Sequence, residues 1–211
     1  MKILKTLTFV IAILCINFAS ANSVSESYLR DFTSGAFRPQ TMAALYSMND
    51  GENYTMLSED GTKIVKYNYL SSKAIDTIFD VATAKNCTLK RISDYEFDSQ
   101  EKRILILTDK TPIYRHSFTT TYYVYNITRN ELEPLSEKPG LQNLAQFSPN
   151  GRMIVFAREN NLFIKKLDFN TEIQITKDGE FNKVINGTAD WVYEEEFGCT
   201  RYFAWSPDSK L

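Results

Sequence analysis

The stretch Phe147–Ala157 reads FSPNGRMIVFA, a polar turn that leads directly into an apolar run, Met153–Ala157. Pro, Asn and Gly mark turns, and a short apolar run bounded by such residues is typical of a buried β-strand. Related turns occur at Asn49-Asp50-Gly51, Phe97-Asp98-Ser99 and Trp205–Asp208. The pattern therefore recurs about every 50 residues, which indicates a repeat architecture.

Each interval between turns holds about four short β-like runs, as in Tyr54–Leu57, Ile64–Tyr67 and Ala74–Phe79 after the first turn. Four strands in a unit of roughly 40–50 residues are the period of a β-propeller blade. Because one four-stranded sheet cannot bury both of its faces, neighbouring blades must stack on it. We therefore expect an all-β fold, a partial β-propeller of four-stranded antiparallel blades, in preference to a sandwich with irregular hairpins.

The repeat is incomplete within this sequence. Three units and the opening of a fourth, at Trp205–Leu211, do not close a ring, since propellers typically need at least four blades. We expect residues 41–211 to form an incomplete β-propeller domain and the chain to be a fragment of a longer protein.

The first 21 residues have the features of a secretory signal peptide. Lys2 and Lys5 form a basic start, Leu7–Phe18 is apolar but short for a membrane span, and Ala19–Ala21 fits a small-residue cleavage site. We expect export, to the periplasm in preference to secretion from a eukaryotic cell, and no membrane association after cleavage. Residues 22–40 would then be a lead-in segment.

Charge and cysteine content exclude several classes of protein. With 24 basic and 26 acidic residues, the chain lacks the basic excess of a nucleic-acid binder. Cys87 and Cys199 could pair in an oxidising compartment or remain two separate thiols. Together with His116, the only histidine, they lack metal-ligand spacing, so we expect no metal and no cofactor.

Three consecutive glutamates lie in Asp190–Phe197, which reads DWVYEEEF. Such a run is ordinarily a solvated charge cluster. In an extended strand Glu195 and Glu196 would point to opposite faces, whereas a helical turn or bent loop lets both serve one ligand. Asp190 is a suitable N-cap residue for a short helical turn carrying this pair. The residues expected to anchor that turn against a blade are Trp191, Tyr193 and Phe197.

The segment Asp190–Phe197 resembles the double-glutamate motif of the dipeptidyl-peptidase IV branch of the prolyl-oligopeptidase-type serine peptidases. Upstream, Tyr114–Ser117 resembles that family's substrate-binding arginine segment, and Phe147–Gly151 is similar to the turns that open its blades. The resemblance runs from about Thr33 to Leu211 and covers most of the chain after residue 21.

This resemblance implies that Glu195 and Glu196 bind the α-amino group of a peptide with a free N-terminus. It also implies that Arg115 contacts a backbone carbonyl of the N-terminal dipeptide, and Arg115 would compensate part of the glutamate charge. A peptide α-amino group has a pKa near 8 and is largely cationic at neutral pH, so it relieves the repulsion between two close carboxylates. We expect His116 to be a hydrogen-bonded structural residue and not a catalytic base.

The family releases N-terminal Xaa-Pro or Xaa-Ala dipeptides with a Gly-x-Ser-x-Gly nucleophile elbow, then Asp and His, in a C-terminal α/β-hydrolase domain. None of the eight glycines of this sequence forms such an elbow. We therefore expect that domain to be absent, no catalytic residue here, and no peptide hydrolysis by this chain alone. Because the family is often dimeric, a homodimer of the full-length protein is a further expectation. The alternative function is a non-catalytic propeller module that binds peptide N-termini or a protein partner.

Overall fold

A computed structural model describes residues 26–39 and 43–210. The predicted signal peptide, residues 1–21, lies outside the described residues, as do the ends of the predicted lead-in segment. The chain divides into two units, Met1–Ala43 and Ala44–Leu211. The described part of the first unit is helix α1 (residues 26–34), followed by a turn at residues 35–37.

The second unit is built from three four-stranded antiparallel sheets, which we call blades 1 to 3. Blade 1 contains, in spatial order, β1 (Leu45–Ser47), β2 (Asn53–Leu57), β3 (Lys63–Asn68) and β4 (Ala74–Asp80). The chain then forms β5 (Asp94–Phe97), β6 (Arg103–Leu107), the hairpin strands β7 (Thr111–Pro112) and β8 (Phe118–Thr119), β9 (Tyr122–Asn126) and β10 (Glu131–Pro134). Blade 2 has the order β5-β6-β9-β10, so that the β7–β8 hairpin is an insertion between its second and third strands.

Blade 3 completes the strand-rich part of the unit. Its strands, again in spatial order, are β11 (Asn143–Phe147), β12 (Met153–Arg158), β13 (Asn161–Lys166) and β14 (Thr171–Gln174). A seven-residue helix, α2 (Trp191–Phe197), follows. The partial β-propeller with a short helical turn, predicted from the sequence, is confirmed.

The repeated turns join the first and second strands of each blade. The sequence repeat predicts that each unit begins at its turn, whereas in the structure each blade begins one strand earlier. The residue that closes each turn adopts a left-handed conformation, at Gly51, Glu101, Gly151 and Ser209. In each turn its backbone N–H donates to the carbonyl three residues earlier, over 2.8–3.1 Å. The strands that precede the turns, such as β1 and β11, contain polar residues and are only partly buried, so they lack a strong apolar signal.

Neighbouring turns are hydrogen-bonded to one another along one rim of the blades. The Asn49 side-chain amide donates to the Ser99 carbonyl (3.0 Å), and the Ser99 hydroxyl donates to the Pro149 carbonyl (2.7 Å). The backbone N–H of Asn150 donates in turn to the Ser209 hydroxyl (3.0 Å). The four turns therefore form one continuous series, which aligns successive blades.

The apolar run in β6 is explained by burial on both faces of blade 2. Ile104 and Ile106 pack in the core shared with blade 1, while Leu105 and Leu107 pack in the core shared with blade 3. Each fully buried side chain of this size contributes about 1.5–3 kcal/mol through removal of apolar area from water. Strand β12 is also buried on both faces. Phe156 packs in the core shared with blade 2, and on the opposite face of the strand Val155 packs near Phe203 and Trp205.

Candidate functional site

Local sequence signals define both ends of helix α2. The side chain of Asp190, the N-cap residue, accepts a hydrogen bond from the backbone N–H of Tyr193 (3.0 Å). Gly198 ends the helix in the left-handed conformation (φ 65°), and its N–H donates to the Glu194 carbonyl (3.1 Å). Asp and Gly are favoured at these two positions, so the bent backbone expected around the glutamates follows from the local sequence.

The prediction that aromatic side chains anchor α2 against a blade is wrong. Trp191, Tyr193 and Phe197 are all exposed, and Tyr193 packs its ring against those of Phe197 and Tyr202 at the surface. The buried residue of the helix is Glu194, which is 1% exposed. A polar side chain thus attaches this helix to the rest of the propeller, and nothing in the sequence distinguishes it from the two glutamates that follow.

Glu194 is held by the tip of the β7–β8 hairpin. Its Oε1 atom accepts hydrogen bonds from the backbone N–H groups of His116 (2.6 Å) and Ser117 (3.1 Å). Its Oε2 atom and the Ser117 hydroxyl are both buried without a hydrogen-bond partner among the described residues. Burial acts to raise the pKa of Glu194, but the backbone N–H groups of His116 and Ser117 oppose this effect, and the pKa lies below its usual value. Glu194 is therefore an ionised group at neutral pH.

Arg115 lies at the same hairpin tip and reaches the next glutamate of the helix. Its Nη2 atom is 3.2 Å from Oε2 of Glu195. The Arg115 side chain is 72% exposed, whereas that of Glu195 is 14% exposed. The fold thus brings together two residues that the sequence analysis selected from distant segments.

Glu196 completes the set of predicted site residues. It is exposed, and its carboxylate makes no hydrogen bond or ion pair with any residue of the ranges 26–39 and 43–210. Adjacent positions on a helix are about 100° apart, so Glu195 and Glu196 lie on neighbouring faces and not on opposite sides of the backbone. The site therefore combines one carboxylate paired with arginine and one exposed carboxylate that has no partner among the described residues.

His116 contributes to the site through its main chain. Its imidazole is exposed, and it is the backbone N–H that binds Glu194. The structural role predicted for this residue is present, but the predicted hydrogen bond of the side chain is replaced by one from the backbone.

A cavity of about 350 Å³ lies beside the hairpin. Its walls come from the hairpin, from the turn between β12 and β13, and from the segment that leads into α2, and they include Ile113, Tyr114, Phe118, Phe181 and Ile185. Neither Glu195 nor Glu196 lines it. The glutamate pair is therefore not part of the lining of this largely apolar space.

Cysteine pairing, metal-binding side chains and membrane-spanning helices are not found among the described residues. In the described part of the chain, Cys87 and Cys199 are free thiols, and no group of three or more His, Cys, Asp or Glu side chains is placed to hold a metal ion. None of the helices within residues 26–39 and 43–210 has the length and apolar character needed to cross a membrane.

Comparison with known proteins shows which family this chain resembles. The model of the dipeptidyl peptidase IV (DPP IV) N-terminal region matches residues 98–211. The crystal structure of Porphyromonas gingivalis dipeptidyl peptidase 4 is 48% identical, with a TM-score of 0.81, over 85% of this chain and 26% of that one.

Curated relatives give the same result. Human prolyl endopeptidase FAP is 31% identical over 193 residues, which are 90% of this chain and 24% of that protein. A probable dipeptidyl-aminopeptidase B of Talaromyces stipitatus is 43% identical over 113 residues, 52% of this chain and 12% of that protein. The chain spans about a quarter or less of the length of these relatives. With the family model covering more than half of the sequence, this chain belongs to the dipeptidyl peptidase IV family and corresponds to its N-terminal propeller region.

Proposed function

We propose that this chain is the substrate-recognition portion of an exported dipeptidyl peptidase that releases N-terminal Xaa-Pro or Xaa-Ala dipeptides. The observation that carries the proposal is the juxtaposition of Arg115 with Glu195 beside the unpaired carboxylate of Glu196. Export rests on the sequence of residues 1–21 alone.

The charges at the site suit one ammonium group. Arg115 offsets the charge of Glu195, and the ionised Glu194 is buried and bonded to backbone N–H groups, so the exposed carboxylate of Glu196 is the charge that a cation can reach. A peptide α-amino group supplies one positive charge and three N–H donors at neutral pH. Charge-assisted hydrogen bonds of this kind are about twice as strong as those between neutral groups.

Binding the amine would also fix where a peptide is cleaved. When the N-terminus is held at Glu195 and Glu196, the bond after the second residue lies at a set distance from the site, so that positioning enforces dipeptide release. Arg115 has a planar set of donors that can bind a peptide carbonyl while it remains near Glu195. An acetylated N-terminus would leave the carboxylates without their cation and would be rejected.

The test uses the protein expressed from the complete gene and a chromogenic Xaa-Pro substrate, with the N-acetylated compound as its matched control. We expect turnover of the free amine only, and a loss of about 100-fold or more in kcat/KM for Glu195→Ala combined with Glu196→Ala, since two charged interactions are removed. Full activity of that double variant would refute the role of the pair. A folded protein that binds the free amine without turning it over would instead support a non-catalytic peptide-binding module.

A further inference from the structure

Glu194 links the two parts of the site through the main chain. One of its two N–H donors, that of His116, belongs to the peptide group that directly follows Arg115. On the other side, Glu194 immediately precedes Glu195 in the same helix. A single carboxylate therefore connects the backbone that carries the arginine to the backbone that carries the glutamate pair.

The bonds of Glu194 are better suited to hold this geometry than the other polar contact between α2 and the hairpin tip. That contact, within the described residues, is the Arg115–Glu195 ion pair, in which the arginine is largely exposed. Exposed ion pairs are screened by water and salt and constrain geometry weakly. The Glu194 side chain is buried and its hydrogen bonds are charge-assisted, and the shorter measures 2.6 Å.

Direct contact between Glu194 and a ligand is unfavourable. The side chain is buried, its Oε1 atom already has two donors, and a ligand would have to displace the hairpin to reach it. Burying the Oε2 atom of Glu194 without a hydrogen-bond partner lowers the stability of the folded protein. A contribution to folding alone therefore does not explain why a glutamate is buried here.

We propose that Glu194 is a positioning residue, whose carboxylate fixes the hairpin tip bearing Arg115 relative to Glu195 and Glu196. It thereby sets the spacing between the groups that bind the peptide's amine and its first carbonyl. This inference rests on the proposed function, because it assigns the spacing a role in substrate binding.

Two conservative variants separate positioning from a direct effect of charge. Glu194→Gln keeps the reach of the side chain and an oxygen that can accept both N–H groups, but removes the charge. Glu194→Asp keeps the charge but shortens the side chain, so that it cannot make both bonds. If Glu194 positions the hairpin, the length of its side chain matters. If Glu194 instead attracts the ammonium group, its negative charge matters.

The experiment measures kcat and KM for a free-amine Xaa-Pro p-nitroanilide with the protein from the complete gene. We expect Glu194→Gln to retain kcat/KM within about threefold of the parent protein, and Glu194→Asp and Glu194→Ala to lose about tenfold or more. The loss should lie in kcat at least as much as in KM, since a misplaced N-terminus still binds but presents the scissile bond poorly.

The inference is overturned if Glu194→Asp is the more active of the two conservative variants, if both lose activity equally, or if all three variants match the parent protein. A Glu194→Gln protein that does not fold would overturn it as well, because a neutral acceptor should suffice. The Glu195→Gln/Glu196→Gln variant is measured alongside. If it is inactive while the Glu194 variants are normal, only the positioning role fails; if it is fully active, the proposed function itself fails.

Discussion

The Nη2 atom of Arg115 lies 3.2 Å from the Oε2 atom of Glu195, and this ion pair joins the β7–β8 hairpin of blade 2 to helix α2. The arginine is largely exposed while the glutamate is mostly buried. A largely exposed arginine pair contributes little to folding. Its expected effect is on the ligand, because the guanidinium can keep contact with Glu195 and still present donors outward.

Arg115→Ala is expected to reduce kcat/KM for a free-amine Xaa-Pro substrate by about 10- to 100-fold, the usual effect of losing a hydrogen bond from a charged group. Arg115→Lys should recover only part of the loss, because an ammonium lacks the planar donor pair of a guanidinium. Steady-state kinetics on the protein from the complete gene gives both values.

The control for these variants is thermal stability. Because the Arg115 side chain is largely exposed, its ion pair contributes little to folding. The melting temperature should therefore be nearly unchanged in Arg115→Ala and Arg115→Lys. A large fall in melting temperature, or an Arg115→Ala protein with normal kinetics, would contradict the role given to this residue.

Only part of this site could be predicted from the sequence. Arg115, Glu195 and Glu196 were found through a family resemblance, and the N-cap at Asp190 through its residue type. The role of Glu194 could not be found in this way, because it depends on backbone N–H groups of a distant hairpin. Three identical letters in a row carry no information about which one is buried.

The fold was predictable where both faces of a strand are buried, and less so elsewhere. Ile104–Leu107 is continuously apolar because alternate side chains enter two different cores. The hairpin strands β7 and β8 contain two residues each and are not fully buried, so no periodic pattern indicates them. Yet this hairpin carries Arg115, so the insertion that brings this predicted site residue to α2 has a weak sequence signal.

A buried ion pair within blade 3, bonded to a serine that follows the last strand of blade 2, leads to a second prediction. Arg158 is 5% exposed, its Nη1 atom donates to the Ser136 hydroxyl (2.7 Å), and its Nη2 atom donates to Oε1 of Glu172 (2.8 Å). Arg158→Leu should lower the free energy of unfolding by about 3 kcal/mol, the lower end for breaking a buried pair, because the mostly buried Glu172 keeps only the exposed Lys138 (3.3 Å) as a cationic partner. Urea denaturation measures the change.

The double variant Arg158→Leu/Glu172→Leu is the informative comparison. Replacing both charges with apolar groups removes the carboxylate that has lost its buried partner, so the double variant should be less destabilised than the single variant. Equal losses in the two proteins would show that the charge left on Glu172 is not the cause.

A third prediction concerns acid stability and the turn between β2 and β3. The Ser58 hydroxyl, the Thr62 backbone N–H and the Thr62 hydroxyl all donate to Oδ1 of Asp60 and lower the pKa of Asp60 to about 2. A carboxyl whose pKa is lower in the folded state stabilises the fold above its unfolded pKa, near 3.9, and loses this effect as the pH falls towards 2.

Asp60→Asn should therefore be less stable than the parent protein at pH 6, and the difference in melting temperature should shrink between about pH 4 and pH 2. Differential scanning calorimetry across this range tests it. A difference that stays constant with pH would mean that the ionised carboxylate of Asp60 does not contribute.

The last prediction uses two glycines in equivalent turns of different blades. Gly51 and Gly151 have nearly the same left-handed φ angles, 70° and 67°. A Cβ atom on Gly51 would meet nothing within 4 Å, whereas one on Gly151 would lie 2.8 Å from Oδ2 of Asp98 in the neighbouring turn. Asp98 is buried and cannot move freely, because its Oδ1 atom accepts hydrogen bonds from two backbone N–H groups.

Alanine at either glycine incurs the conformational cost of the left-handed region, about 1–2 kcal/mol. Gly151→Ala should lose a further 1–3 kcal/mol or so, since displacing Asp98 breaks the hydrogen bonds of a buried carboxylate. Urea denaturation of the two variants side by side separates these contributions, with Gly51→Ala as the matched control. Equal destabilisation would show that the contact between turns of adjacent blades is not rigid, and a larger loss in Gly51→Ala would contradict the aligned rim of turns described above.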